Sequence, residues 1–175
     1  MDCANTGPGE WPPLRVAPIA PADRPALEAW FRTVSPESRY ARFLGYVTEL
    51  SDKQWHYLTE VDGHDHVAFV ARRGREIVGV GRWIRIADDP ALAEIAFLVG
   101  DAHQRTGVGS ALRAALVEAA RAHGVRRFRG YVLPHNRGIR RLLAGPELVR
   151  VRDTGRVIDV DVRVEVSADA AVCAS

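Results

Sequence analysis

Between Glu94 and Ser110 the chain carries the residue types that acid–base and phosphate chemistry need. Glu94 stands among Ala93, Ile95 and Ala96, and ten residues later comes Gln104-Arg105-Thr106-Gly107-Val108-Gly109-Ser110. The apolar run Ile95–Val99 has the length of a buried strand, and Gly100-Asp101 follow it as turn residues. From Val108 onward, apolar residues recur at Ala111, Leu112, Ala115, Leu116 and Ala119, which is helical spacing. The stretch therefore reads strand, glycine-bearing loop, helix. The first amides of a helix have no intrahelical partner and share the positive end of its dipole. Glycines there let a phosphate reach the backbone, with the amides of Val108 and Ser110 pointing outward. A tight strand-to-helix turn with no ligand fits the same residues. Two known phosphate loops do not: the dinucleotide fingerprint needs a small residue where Leu112 stands, and the P-loop needs Lys-Ser/Thr where Ser110-Ala111 follow Gly109.

The remaining elements must bring such a loop to its partners. Leu14-Arg15-Val16 starts a short strand. Ala22 to Val34 is helical, with Leu27, Trp30, Phe31 and Val34 on one face. Ser35 caps a second helix with Pro36 at its first position and Glu37 in its first turn, continuing through Tyr40 and Phe43. A third helical piece follows Ser51-Asp52 and includes Trp55 and Leu58. His66–Arg72 and Glu76–Arg85 form a hairpin around Arg73-Gly74-Arg75, and Pro90 precedes a strand over Leu92–Val99. The helix after the loop ends at His123-Gly124. Arg127–Leu133 is the fifth strand. Asn136 caps a helix from Arg137 to about Ala144, closed by Gly145-Pro146, and Leu148–Arg152 pairs with Val157–Val166. The expectation is one α/β (α+β) domain over residues 14–166 with a mixed, mostly antiparallel sheet, between flexible tails at 1–13 and 167–175.

Composition narrows the partners. A 175-residue chain that is 47% hydrophobic and 26% charged suits a single globular domain. No apolar run is long enough to span a membrane, and the N-terminus lacks a basic-then-apolar signal. Cys3 and Cys173 lie near opposite ends, so no disulfide framework is implied. These features point to the cytoplasm and to no membrane partner. A net charge of +2 gives little reason to expect nucleic acid, despite 24 Lys and Arg of which only Lys53 is lysine. Asp62-Gly63-His64-Asp65-His66 groups metal-ligand residue types, but its spacing suits a strand edge and no distant ligand completes a tetrahedral set, so no metal is expected.

The segment Gln104-x-x-Gly107-x-Gly109, preceded by a strand and Ala93-Glu94, resembles the acetyl-CoA loop of the GNAT N-acetyltransferases. Ser35-Pro-Glu-Ser-Arg-Tyr-Ala-Arg-Phe43 is similar to the segment after the first helix of bacterial protein-lysine acetyltransferases. Val132-Leu-Pro-His-Asn136 resembles the strand and asparagine beyond the loop helix. The likeness runs from about Leu14 to Val164 and implies acetyl-CoA as cosubstrate with no metal. It implies that Gln104, Arg105, Thr106, Gly107, Val108, Gly109 and Ser110 hold the pyrophosphate. The backbone of Leu98 and Val99 would pair with the pantetheine arm and hold the acetyl oxygen, and Asn136 would touch CoA as well as cap its helix.

The same likeness makes Glu94 the general base, acting through one or two waters on a primary amine, with its apolar neighbours raising its pKa by desolvation. A strand-end glutamate paired to an arginine is the structural alternative. The implied reaction is direct attack in a ternary complex. The Ser35–Phe43 match favours a protein lysine as acceptor. A small-molecule amine, antibiotics included, is the enzymatic alternative, and a non-catalytic acyl-CoA-binding regulatory module the other; monomer and homodimer both stay open. One departure stands out: many family members carry a tyrosine in the helix after the asparagine as general acid, and Arg137–Ala144 contains none. Tyr131 is the nearest candidate by sequence, although a strand tyrosine is more often core. Gly145-Pro146 also replaces the common Gly-Phe, which implies a reshaped acceptor end.

Overall fold

A computed structural model describes residues 11–144 and 148–164. In chain order the elements are β1 (Leu14–Pro18), α1 (Arg24–Thr33), α2 (Pro36–Phe43), α3 (Asp52–Thr59), β2 (His66–Arg73), β3 (Glu76–Ile86), β4 (Asp89–Val99), α4 (Val108–Ala122), β5 (Arg127–Val132), α5 (Arg137–Leu143), β6 (Leu148–Asp153) and β7 (Ile158–Arg163). The strands form one seven-stranded sheet in the order β1-β2-β3-β4-β5-β7-β6. Every neighbouring pair is antiparallel except β4 and β5.

The helix boundaries follow the capping chemistry in the sequence. The Ser35 hydroxyl accepts from the Ser38 amide with Pro36 at the first position of α2, and Ser51 and Gln54 form a reciprocal capping box on α3. The Asn136 side chain accepts from the Ile139 amide at 3.2 Å to start α5. Two boundaries differ from expectation. A single 3-10 turn, Pro21–Asp23, opens the first helix. Pro90 lies inside β4, which begins at Asp89, because the β3 partner there is irregular and demands no ladder donor from proline. Cys3, Cys173, the Gly145-Pro146 terminator and the end of the last strand at Val166 fall outside the described residues, while Trp11 and Pro12 lie inside them, against Arg73.

Apolar side chains close over both sheet faces. On one, α4 packs on β2 and β3: Gly79 and Gly81 leave room for Val108, Leu112 and Leu116, and a Cβ on Gly79 would stand 2.9 Å from Val108. On the other, Leu27, Phe31, Val34 and Trp55 lie over Val70, Val80 and Leu98. Phe31 joins the three helices there, meeting the rings of Phe43 at 6.0 Å and Trp55 at 5.7 Å edge-on. Thus α1, α2 and α3 cover the β2–β4 part of this face. Among the described residues, no helix is long and apolar enough to cross a membrane.

Candidate active site

The site begins where two strands part. β4 and β5 pair only through Leu92–Arg127, Ala93–Phe128 and Glu94–Arg129, yet β4 continues to Val99 and β5 to Val132. Beyond Glu94 the β5-facing edge of Ile95–Val99 has no strand partner, so its backbone groups are open to another extended chain. Leu143 of α5 fills the fork from the α4 side. A Cβ on Gly130 would stand 2.9 Å from it and 3.8 Å from Ile95, so a glycine is needed there.

At the mouth of the fork stands Glu94. Its neighbours Ala93 and Ile95 are buried in the core under α4, so strand alternation turns Glu94, Ala96 and Leu98 to the face carrying α1–α3. Glu94 is half-buried there. Burial lowers the pKa of Arg42 at the end of α2, and the charge of Glu94 opposes that loss. Arg42 also lies 4.8 Å from the Phe43 ring centroid. Deeper on the same face Arg82 is only 4% exposed. Its Nη1 donates to the Leu58 carbonyl at 3.1 Å and meets His66 Nε2 at 3.0 Å. Burial and the nearby Arg42 charge lower Arg82 to about 9, and burial with the Arg82 charge lowers His66 to about 4, so His66 is a neutral acceptor for Arg82 near pH 7. Sequence reading singled out neither arginine. Arg82 had a signal: it is the one charged residue within the buried run Ile77–Trp83.

The loop occupies the far end of β4. The Gly100 amide donates to the Val78 carbonyl at 3.0 Å, and the Thr106 hydroxyl to the His103 carbonyl at 2.7 Å, which fixes the loop's path. Arg105 and Gly107 both take left-handed backbone, with φ of 63° and 89°, which turns the chain into α4. Gly107 is the N-cap of α4 and no side chain caps that end. The first amides of α4, at Val108, Gly109 and Ser110, are therefore available to a ligand. The two glycines serve different needs. A Cβ on Gly107 meets nothing within 4 Å, but its φ disfavours any other residue; at Gly109 a Cβ would stand 3.3 Å from Leu142. That contact sets α5, and with it Asn136, beside the start of α4. Asn136 Oδ1 is spent on the cap, leaving its NH2 group as the polar atom able to reach a ligand.

Gln104 is exposed, yet its side-chain amide is tied down. Its Nε2 donates to Ser38 Oγ at 3.0 Å and to the Val99 carbonyl at 3.4 Å. Asp101 completes the junction: the Ser35 amide, Ser35 hydroxyl and Ser38 hydroxyl donate to it at 2.8, 2.7 and 2.6 Å. Burial alone would raise the Asp101 pKa, but the Ser38 and Ser35 hydrogen bonds outweigh it and hold the carboxyl below its usual range. So the Ser35–Phe43 segment fastens to the loop at one end and brings Arg42 to Glu94 at the other. On the opposite side Arg73 Nη2 donates to the Thr106 carbonyl at 3.3 Å, and Arg73 Nη1 to that of Pro12 at 2.9 Å.

One side chain differs from expectation. Tyr131 is 41% exposed rather than core, on the Glu94 face beside Arg129. Its alternation follows Gly130 and Val132, which turn the other way into the apolar core. Asp62 forms no part of a ligand set. Its Oδ1 accepts the amides of His64, Asp65 and His66, each at 2.8 Å, and shapes the entry to β2. Among the described residues no group of three or more His, Cys, Asp or Glu could hold a metal ion.

The chain is similar to known proteins. Residues 25–144 match the acetyltransferase (GNAT) family. The acetyltransferase Pat of Mycolicibacterium smegmatis is 34% identical over 158 residues, covering 89% of this chain and 46% of that protein. The chain thus spans about half the length of that relative. The crystal structure of the GNAT domain of S. lividans PAT superposes with a TM-score of 0.79 at 35% identity, covering 86% of this chain and 90% of that one. The fold also matches yncA of Salmonella typhimurium, solved with its cofactor acetyl-CoA, at a TM-score of 0.70 and 16% identity, covering 91% and 99%. With the forked sheet, the uncapped loop helix and a family match across most of the chain, this protein belongs to the acetyltransferase (GNAT) family.

Proposed function

We propose that this protein transfers the acetyl group of acetyl-CoA to a primary amine, the side chain of a protein lysine. The observation that carries the reading is the end of the β4–β5 ladder at Glu94–Arg129, which leaves a free strand edge with a carboxylate at its root. The pyrophosphate of acetyl-CoA would rest on the amides at the start of α4, with Gln104 to Ser110 around it and Asn136 beside it. Its pantetheine arm would lie along the free edge, with the Leu98 and Val99 backbone pairing with it and holding the acetyl oxygen.

The lysine amine must be neutral to attack. Glu94 takes the proton from nitrogen through bridging water, the nitrogen bonds to the thioester carbonyl carbon, and the carbon–sulfur bond then breaks. Arg42 bears on Glu94 rather than on the substrate. The CoA thiolate leaves to solvent, because α5 holds no tyrosine and Tyr131 faces the Glu94 side of the sheet. The acceptor class draws on the relatives, which are an acetyltransferase and a domain both named Pat.

Thiol release from acetyl-CoA with a lysine peptide tests the reading, comparing wild type with Glu94→Gln. The expected outcome is acetyl-CoA affinity within error of wild type and turnover lower by at least about tenfold. Unaltered turnover across pH removes Glu94 from the mechanism.

A further inference from the structure

We propose that the open half of the sheet beside Glu94 receives the acceptor polypeptide and selects one with an acidic side chain about four residues from the target lysine. This rests on the lysine reading above and extends it to sequence preference. The helices α1–α3 cover only the β2–β4 part of that face, and no residue of β5, β6 or β7 joins their apolar cluster. What lies across the fork is charged. Glu94, Arg129, Asp161 and Arg150 are successive cross-strand partners, a row running from β4 through β5 and β7 to β6. A second row runs Tyr131, Asp159, Arg152. Arg129, Arg150, Arg152, Asp159 and Asp161 line a hollow of about 240 Å³.

Charge is arranged unevenly along this floor. Arg129 and Asp161 satisfy each other through two hydrogen bonds of 2.9 and 3.3 Å. Arg150 and Arg152, on the fully exposed edge strand β6, have no ion-pair partner among the described residues. Glu94 stands at one end of the floor, and at its outer edge the two guanidinium groups of Arg150 and Arg152 outnumber the one carboxylate of Asp159. A ligand that fits both ends carries an amine at one and a carboxylate at the other. Adjacent strands lie roughly 4.8 Å apart, so β4 and β6 are separated by roughly 14 Å, and an extended peptide covers that in about four residues. Glutamate or aspartate at that remove from the lysine would meet the Arg150 and Arg152 guanidinium groups, which take carboxylates readily in fork geometry.

Three peptides share a central lysine and differ in carrying Glu, Gln or Lys four residues to either side of it. Steady-state kcat/KM by thiol release is expected to favour the Glu peptide over the Gln peptide by roughly three- to tenfold, the scale of two exposed ion pairs. The advantage should shrink in about 0.5 M salt, where such pairs are screened. The R150E/R152E double variant is expected to reverse the order and favour the Lys peptide, an outcome that a misfolded protein cannot produce. Equal kcat/KM for all three peptides, or a double variant that keeps the wild-type order, overturns the selectivity while leaving lysine transfer standing. Thiol release with a small amine but with none of the peptides overturns the lysine reading, and this inference falls with it.

Discussion

Gly107 is constrained by its own backbone: nothing crowds it, yet φ of 89° is a conformation that β-branched residues avoid. Gly107→Val should therefore distort the amides ahead of α4 and weaken acetyl-CoA binding by at least roughly tenfold in calorimetry. Undiminished affinity would show that the loop does not hold the cosubstrate. Gly109→Ala meets one flexible leucine tip instead, so its penalty should be much smaller. Glu94 is likewise a single-residue question, and there the discriminating quantity is turnover at constant affinity. Arg105 has left-handed backbone without being glycine, a strain that the fixed loop path on either side of it maintains.

Between α2 and the loop, four side chains act as one fastening. Ser35, Ser38, Asp101 and Gln104 exchange hydrogen bonds across a sequence gap of more than 60 residues. Asp101→Ala removes the shared acceptor and leaves two serine donors without it. The expected result is a several-fold rise in the KM for acetyl-CoA, by loosening of Gln104, with the stability cost of about 1–3 kcal/mol for lost hydrogen bonds. A KM equal to wild type would mean that loop and helix are independent. The other fastening is apolar. Phe31 is 4% exposed and its ring meets those of α2 and α3, so Phe31→Ala should cost about 3–5 kcal/mol in urea unfolding. A loss below about 1 kcal/mol would mean that the three helices pack without it.

For the whole molecule, the buried His66–Arg82 contact predicts an acid-sensitive fold. His66 is 7% exposed and titrates near 4 in the folded chain, against 6.5 for a free histidine. Above pH 6.5 it is neutral folded and unfolded, and its contribution is complete. As pH falls from 6.5 toward 4 the unfolded chain binds a proton that the folded chain refuses, and stability drops by up to about 3 kcal/mol. His66→Gln keeps an acceptor for Arg82 and removes the titration. Unfolding free energies measured across this range should therefore fall less steeply for the variant, and an unchanged slope would place the proton elsewhere.

Much of the molecule was legible before any coordinates. Caps at Ser35, Ser51 and Asn136, the strand–loop–helix order around Gln104 and the hairpin at Gly74 all depend on neighbours within a few residues, and such interactions leave a local pattern. That Glu94 lies on the strand leading into the loop was legible for the same reason. The sequence by itself determined which segments are strands and helices and where a glycine-bearing loop opens a helix, since propensity, capping and alternation act over one or two turns. Only the tertiary structure decided that β4 and β5 part at Glu94–Arg129, that Arg42 and Arg82 share the Glu94 face, and that Arg150 and Arg152 edge an open floor beside it. The parting depends on register between β4 and β5, whose paired residues lie 35 apart, and the shared faces depend on how whole elements stack, and neither leaves a mark in a short window of sequence.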